Sequence, residues 1–222
     1  FLHANINDDF NPKTDAVPYE KFSYLDKWMM SRLNMLIEKV LKAYNNYSFH
    51  AIYHSLHNFC AVDLSALYLD IVKDRIYVES KNSTKRRASQ TVMFETLVSF
   101  VKLLAPVLSY TAEEMWLYLK GNVEEESVFL TTFPRVEKEY ISGELEEEWS
   151  RIWELRELIN KKIEEKRVEK VIGHSLDTKV IVTVPEKEYL LLNKLGDELK
   201  EIVIVSQIEL RQGDDVNVAV MR

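Results

Sequence analysis

The chain has 222 residues, enough to bury a core as one large domain or two small ones, and its 46% apolar and 29% charged residues exclude a disordered chain. The single cysteine, Cys60, excludes an internal disulfide framework and favours a reducing, cytoplasmic compartment. The net charge of −7, taken alone, argues mildly against nucleic-acid binding.

The first half of the chain shows the periodicity of long amphipathic helices. It begins at Phe1, without a methionine, in what looks like the end of an amphipathic run, which suggests an excised fragment. Apolar residues recur at helical spacing over residues 24–46, where Ser23 or Asp26 can supply the start. A second helix is predicted over residues 49–77, followed by a polar turn at 79–85.

Two further helices complete the predicted bundle. The third runs over residues 86–104, and Pro106 stops it because proline lacks a backbone donor. Thr111 and Glu114 form a T-x-x-E capping box that predicts the start of the fourth helix. Four such helices joined by short turns predict an antiparallel bundle. The longest apolar stretch, 97–108, is interrupted and too short to cross a bilayer.

The character of the chain changes near residue 143. A long charged helix is predicted over 144–171, followed by strands at 179–184, 202–210 and 216–221 and a short helix at about 186–195. The predicted fold is therefore mainly α, with a helical bundle followed by a small α/β subdomain. The domain limits are placed at 1–136 and 137–222.

Charge is segregated along the chain. Residues 124–148 hold nine glutamates against two cations, whereas residues 73–87 hold six basic residues against two acids. Lys73 and Arg75 end a predicted helix, where cations also stabilise the helix dipole. Arg86 and Arg87 open the next helix, where positive charge is unfavourable, which favours a partner. The basic stretch is thus a candidate for holding RNA phosphates, with surface accident as the alternative.

Patterns for catalysis are missing from the sequence. It contains neither a G-x-G-x-x-G loop nor G-x-x-x-x-G-K-[ST], H-E-x-x-H or a nucleophile elbow. His50, His54, His57 and Cys60 share one helix face, but a straight helix cannot wrap four ligands around one ion, so packing is favoured over a metal site. The glutamate runs are interpreted as solvated faces.

Four stretches of the sequence carry a family resemblance: HNFCAVDLSALYLDIVKDRIY (57–77), RRASQTVMFETLVSFVKLLAPVLSYTAEEMW (86–116), ESVFLTTFP (126–134) and EKRVEKVIGHSLDTKV (165–180). They occur in the order and at the spacing of isoleucyl-tRNA synthetases of the bacterial type, which the chain closely resembles. The segment LLAP-x-L-x-[YF]-TAEE-x-W is shared with the valyl and leucyl enzymes. The segments FC-x-VDLS-x-x-YLDI-x-KDR and EKVIG-x-SL are more specific to the isoleucyl family.

The resemblance implies an anticodon-binding bundle and part of a C-terminal junction region. The parent enzyme would use ATP and Mg to join isoleucine to its tRNA in the cytoplasm. The HIGH and KMSKS signatures and the editing domain are absent from this sequence, so catalysis is not expected from it alone. A zinc element, if the parent has one, would lie beyond Arg222. The expected partner is isoleucine tRNA, with neither DNA nor a membrane, and the expected state is a monomer.

The predicted RNA-facing residues follow from the basic stretch and the family's KDR segment. Basic side chains of the long helix would extend the footprint along the tRNA stem. The full set is Lys73, Asp74, Arg75, Tyr77, Arg86, Arg87, Lys161, Lys162, Lys166 and Arg167.

Two alternatives stay open at this point. One is the anticodon-binding domain of a valyl-tRNA synthetase. The other is a helical protein-interaction module whose acidic zone meets a basic partner and which binds no RNA.

Overall fold

The computed structural model describes residues 1–6, 9–119, 121–173 and 178–221. The chain folds into two compact units, Phe1–Ser142 and Gly143–Arg222. The domain limits drawn from the sequence place this division a few residues earlier.

The first unit begins with short elements that lead into a long helix. These are α1 (Leu2–Ile6), α2 (Pro12–Asp15) and a 3₁₀ turn at Tyr19–Lys21, followed by α3 (Tyr24–Asn45). The side chain of Ser23 caps α3 by accepting a hydrogen bond from the backbone N–H of Asp26 at 3.2 Å, which confirms the predicted start. The apolar side of α3 is buried through Leu25, Met29, Leu33, Ile37 and Val40.

The second predicted helix exists as a continuous helical path of three parts. They are α4 (Phe49–Asn58), a π-helical segment (Phe59–Leu69) and α5 (Asp70–Val78). Along this path the buried side chains Phe59 and Leu64 are five residues apart instead of the three or four of an α-helix. A five-residue step suits the i→i+5 bonding of a π-helix.

Helix α6 (Thr84–Leu104) forms the centre of the first unit. It contacts α1, α2, α3, α5 and α7. Because other elements surround it, even polar side chains such as Ser89, Gln90 and Thr96 are buried. The helix begins two residues before the predicted start and ends at the predicted residue.

Helix α7 (Ser109–Leu117) follows a turn at Pro106, as predicted, but the predicted capping box is wrong. The N-cap residue is Leu108, which makes no side-chain capping bond. Ser109 Oγ instead donates to the carbonyl of Ala105 at 3.0 Å, and the backbone N–H of Ala112 donates to Leu108 at 2.8 Å. The first turn therefore forms earlier, and Thr111 lies inside the helix.

The remainder of the first unit consists of connecting turns. Two 3₁₀ turns, Val128–Leu130 and Lys138–Tyr140, lie in the segment after α7. The indole N–H of Trp116 donates to the carbonyl of Glu125 at 2.9 Å, which ties this segment to α7.

The second unit is a small α/β structure. Its elements are α8 (Gly143–Val168), β1 (Lys179–Val184), α9 (Glu186–Leu195), α10 (Glu198–Val203), β2 (Gln207–Gln212) and β3 (Asn217–Met221). The sheet order is β2-β1-β3, with β1 parallel to β2 and antiparallel to β3. Alternate side chains of β1, namely Val180, Val182 and Val184, are buried, and α8 contacts β3. These findings confirm a mainly α fold with a small α/β part.

The middle strand prediction is wrong in its limits. Residues 202 and 203 end α10, and β2 begins only at Gln207. Ile204 takes a left-handed conformation with φ of 57°, and the N–H of Val205 donates to Lys200. A short apolar run fits a buried helix end as well as a strand, so its composition could not separate the two.

Among the helices of the described residues, none is long and apolar enough to cross a membrane.

Candidate nucleic-acid interface

The end of α5 places three of the predicted RNA-facing residues at the surface. Asp74 is exposed, and Tyr77 is 67% exposed with its ring edge-on to Phe1 at a centroid distance of 6.3 Å. Lys73 is half-buried, and its ammonium lies 2.8 Å from the carboxylate of Asp70. A surface ion pair of this kind is worth little, so Lys73 can exchange Asp70 for a phosphate.

Arg75 is not part of this surface, contrary to the prediction. It is only 2% exposed, and its guanidinium donates to Asp26 Oδ2 at 3.3 Å and Ser23 Oγ at 3.0 Å. Asp26 is completely buried, and a buried carboxylate requires a cation or hydrogen-bond donors around it. Arg75 therefore joins the C-terminal part of α5 to the start of α3.

Two hydroxyl groups complete the cluster around Asp26. Tyr68 donates to Asp26 Oδ1 at 2.6 Å, and Ser89 donates to the same oxygen at 3.3 Å. Burial, followed by the charge of Asp26, raises the pKa of Tyr68 well above its ordinary value. Tyr68 therefore stays protonated and acts as a donor to the carboxylate.

Arg86 and Arg87 also bind within the protein. Arg86 Nη2 lies 2.7 Å from Asp9 Oδ2, and Arg87 lies 3.5 Å from Asp9 and 3.7 Å from Asp15. Arg87 further donates to the carbonyl of Asp9 and to Gln90 Oε1. The cations at the start of α6 do have a partner, but that partner is a pair of aspartates in the N-terminal segment, Asp9 and Asp15.

The carboxyl group of Asp9 reflects these neighbours. Burial raises its pKa, but the hydrogen bond from Gln90 and the charge of Arg86 outweigh burial and leave the pKa below its ordinary value. The Gln90 side-chain N–H₂ group donates to Asp9 Oδ1 at 2.8 Å and to the Asn5 carbonyl at 2.9 Å. This network anchors the N-terminal segment on α6.

The cations of the basic stretch that reach the surface are lysines. Lys81 is exposed and Lys85 is half-buried, both in or beside the turn between α5 and α6. The predicted RNA-facing set includes neither of them, although both belong to the basic stretch 73–87. The surface cations are thus Lys73, Lys81 and Lys85, next to Tyr77.

The basic residues of α8 belong to the second unit. Lys162, Lys166 and Arg167 pair with Glu165, Glu169 and Glu164 at 2.8, 2.6 and 2.6 Å. The hydrogen bond from Lys162 lowers the pKa of Glu165. Lys161 is exposed and makes no ion pair with any residue in the described ranges. These pairs offset much of the positive charge that the sequence indicated for this helix.

The three histidines of α4 lie at the surface, and Cys60 follows them in the π-helical segment. His50, His54 and His57 are exposed, and Cys60 is half-buried at the start of the π-helical segment. Burial raises the pKa of the Cys60 thiol, which disfavours the thiolate that binds metals. Within the part of the chain that the structure describes, no group of three or more His, Cys, Asp or Glu side chains is placed to hold a metal ion.

Comparison with known proteins gives a consistent picture. Residues 26–182 match the family model described as the anticodon-binding domain of tRNA ligase. An isoleucine–tRNA ligase of Caldicellulosiruptor saccharolyticus is 46% identical over 222 residues, which cover 99% of this chain and 24% of that protein. Those of Moorella thermoacetica and Petrotoga mobilis are 46% and 42% identical over 96% and 97% of this chain, and over 23% and 24% of their own lengths. The chain spans about a quarter of the length of these curated relatives.

Part of the family-specific segment EKVIG-x-SL, residues 174–176, lies outside the described residues.

Proposed function

Because this chain belongs to the family of anticodon-binding domains of tRNA ligases, we propose that it binds the anticodon stem–loop of an isoleucine tRNA. The observation that carries this proposal is the match to isoleucine–tRNA ligases at 42–46% identity over nearly the whole chain. The whole protein would ligate isoleucine to that tRNA in the cytoplasm with ATP and Mg, which act outside this chain. If the whole protein carries a zinc element, that element lies beyond Arg222.

The surface lysines beside Tyr77 suit the phosphate backbone of the stem. Lys73, Lys81 and Lys85 supply cations, and phosphate contacts fix the register of an RNA without reading its sequence. Asp74 is exposed among them and would repel misplaced phosphates. On α8 of the second unit, exposed Lys161 is the cation that would contact a phosphate directly. Lys162, Lys166 and Arg167 would first have to exchange their glutamate partners for phosphates. Arg75, Arg86 and Arg87 would act indirectly, by holding α5, α6 and the N-terminal segment in place.

A titration of the chain with isoleucine and valine tRNAs at two salt concentrations tests the proposal. The chain should bind isoleucine tRNA. The double variant Lys73→Glu with Lys81→Glu should bind it more weakly, and the slope of log K against log salt concentration should become shallower by about 1–2. Lys138→Glu, at an exposed site between Glu137 and Glu139, is the matched control and should bind as the parent chain does.

Three results would contradict the proposal in different ways. Equal affinity for unrelated RNA would contradict anticodon binding, and tighter binding of valine tRNA would favour the valyl family. Binding to a basic protein but to neither tRNA would favour the protein-interaction module.

A further inference from the structure

The guanidinium group of Arg87 holds two parts of the first unit at once. Its Nη1 donates to the carbonyl of Asp9 and to Gln90 Oε1, whereas its Nη2 donates to Asn82 Oδ1 at 3.3 Å. Asp9 belongs to the N-terminal segment, and Asn82 belongs to the turn before α6. Because Arg87 is buried and its guanidinium is a planar fork, it can bind both partners in one fixed position.

Residues 9–17 of the N-terminal segment are also bonded to the backbone of Arg87. The backbone N–H of Val17 donates to Thr91 Oγ1 at 3.0 Å, and Thr91 Oγ1 donates to the carbonyl of Arg87 at 2.8 Å. The segment is therefore seated on α6 through both the side chain and the main chain of one arginine.

The turn before α6 carries the exposed Lys81 beside Asn82. A hydrogen bond of 3.0 Å from the N–H of Ser83 to the carbonyl of Ser80 closes this turn, so Lys81 and Asn82 are its two central residues. Both are exposed, and the bond from Arg87 joins the turn to the buried part of the first unit. The position of Lys81 therefore depends on a residue that it does not contact itself.

Lys81 is also related to the N-terminal segment by its charge. The backbone hydrogen bond from Asn11 lowers the pKa of Asp15, and the charges of Arg87 and Lys81 lower it further. The cation of the turn and the cation that holds the turn therefore lie near the same carboxylate.

We infer that Arg87 is a positioning residue, which couples the seating of the N-terminal segment on α6 to the binding of RNA phosphates at Lys81. The inference rests on the proposed function. A turn that is fixed before binding loses less conformational freedom when a phosphate meets its lysine, so the bond to Asn82 strengthens RNA binding without a contact to RNA. Because coupling between two sites is reciprocal, bound RNA also holds the N-terminal segment more firmly.

Asn82→Ala tests the turn side of this link, because it removes an exposed side chain and leaves every cation in place. The variant should bind isoleucine tRNA about fivefold more weakly, which is the effect of losing one hydrogen bond. The slope of log K against log salt concentration should not change, because no phosphate contact is lost. Its urea midpoint should remain that of the parent chain. Asn45→Ala, at an exposed position at the end of α3, is the matched control and should bind as the parent chain does.

Arg87→Lys distinguishes a positioning role of Asn82 from a direct contact with RNA. Lysine keeps the positive charge beside Asp9 and Asp15 but lacks the fork that reaches Asn82 at the same time. Arg87→Lys should therefore weaken tRNA binding about as much as Asn82→Ala does, and combining the two changes should cause no further loss. Losses that add would mean that Asn82 contacts the RNA itself, and the inference would be overturned.

Hydrogen exchange at the backbone amide of Val17 measures how firmly the N-terminal segment is seated. Saturating isoleucine tRNA should slow this exchange in the parent chain and leave it unchanged in Asn82→Ala. Equal slowing in both chains would show that RNA acts on the segment by a route other than Arg87. No slowing in the parent chain would show that the two sites are not coupled. Either result overturns the inference, whether or not the Arg87→Lys variant folds.

The double variant Lys73→Glu with Lys81→Glu separates this coupling from the proposed function. If it binds isoleucine tRNA more weakly while Asn82→Ala binds as the parent chain does, the coupling is wrong and the proposed function stands. If the parent chain binds no isoleucine tRNA, the proposed function fails and the coupling fails with it.

Discussion

Asp26 and Arg75 meet in the interior of the first unit, where both side chains are almost completely shielded from water. Removing two ions from water costs several kcal/mol each, and their attraction offsets this only when other hydrogen bonds satisfy them. Tyr68, Ser89 and Ser23 supply those bonds. The cluster therefore fixes α3, the π-helical segment, α5 and α6 to one another through a single carboxylate.

Arg75→Met should consequently lower the free energy of unfolding by about 3–5 kcal/mol, because it leaves the Asp26 carboxylate buried without its cation. Urea denaturation followed by circular dichroism measures this. Lys73→Met is the matched control, since its ion pair with Asp70 is at the surface and its loss should cost less than about 1 kcal/mol. Equal losses for the two variants would contradict the stabilising role of Arg75 beside the buried Asp26 carboxylate.

Asp9 gives the first unit a pH dependence whose sign follows from its lowered pKa. A carboxyl group with a lower pKa in the folded state stabilises the fold above its unfolded pKa of about 4 and loses that contribution as the pH falls through the folded value. The difference in unfolding free energy between the parent chain and Asp9→Asn should therefore be largest near pH ~6 and shrink toward pH ~2.

A series of urea denaturations over that pH range measures the difference. Gln90→Leu removes the hydrogen bond that lowers the Asp9 pKa. In chains that carry Gln90→Leu, the effect of Asp9→Asn on the free energy of unfolding should therefore depend less on pH. A difference between parent and Asp9→Asn that stays constant with pH would contradict this account.

At the scale of elements, the π-helical segment sets which side chains face α3. Asp63 pairs with Arg32, and Tyr68 donates to Asp26, so two residues five apart both contact α3. In an α-helix, residues five apart point about 140° away from each other. The i→i+5 winding brings them to one side.

In the second unit, Gly213 lies against the central strand. Its N–H donates to the carbonyl of Val184 at 3.0 Å, and a Cβ at this position would lie 2.5 Å from Thr183 Cγ2. Gly213→Ala should lower the free energy of unfolding by about 0.5–1.5 kcal/mol, because the new methyl group forces the half-buried Thr183 side chain out of its present rotamer. Thermal or urea denaturation of the chain measures the loss.

Thr183→Ser offers a rescue for this variant, because it removes the Cγ2 methyl group that the new Cβ would meet. The double variant should be destabilised by less than the sum of the two single changes. Additive losses would mean that some contact other than Thr183 Cγ2 excludes a side chain at residue 213.

At the scale of the whole molecule, the net charge of −7 and an RNA partner are compatible because charge acts locally. Exposed charges farther apart than about 8 Å are largely screened at physiological salt. The glutamates of 124–126 and 144–148 equal the whole net excess of negative charge, whereas the proposed phosphate contacts are separate lysines such as Lys73 and Lys81. The net charge therefore does not exclude an RNA partner, because the local distribution of charge decides whether phosphates can bind.

The sequence by itself determined the class of fold and most element limits. Helical spacing predicted α3 and α6, alternation predicted β1, and motifs in order indicated the family, because periodicity and local motifs are properties of the chain. It also predicted one long helix over α4 and α5 but not its π-helical part, because the apolar residues 60–62 hide the five-residue step between the buried Phe59 and Leu64.

Only the tertiary structure decided which charges are available. Lys73, Asp74 and Tyr77 reach the surface, whereas Arg75, Arg86 and Arg87 are bound to Asp26, Asp9 and Asp15. Those partners lie roughly 50 to 80 residues away along the chain, so no local pattern indicates them. The charge of a side chain is set by its chemistry, but whether it faces water or a buried carboxylate is set by what the fold packs against it.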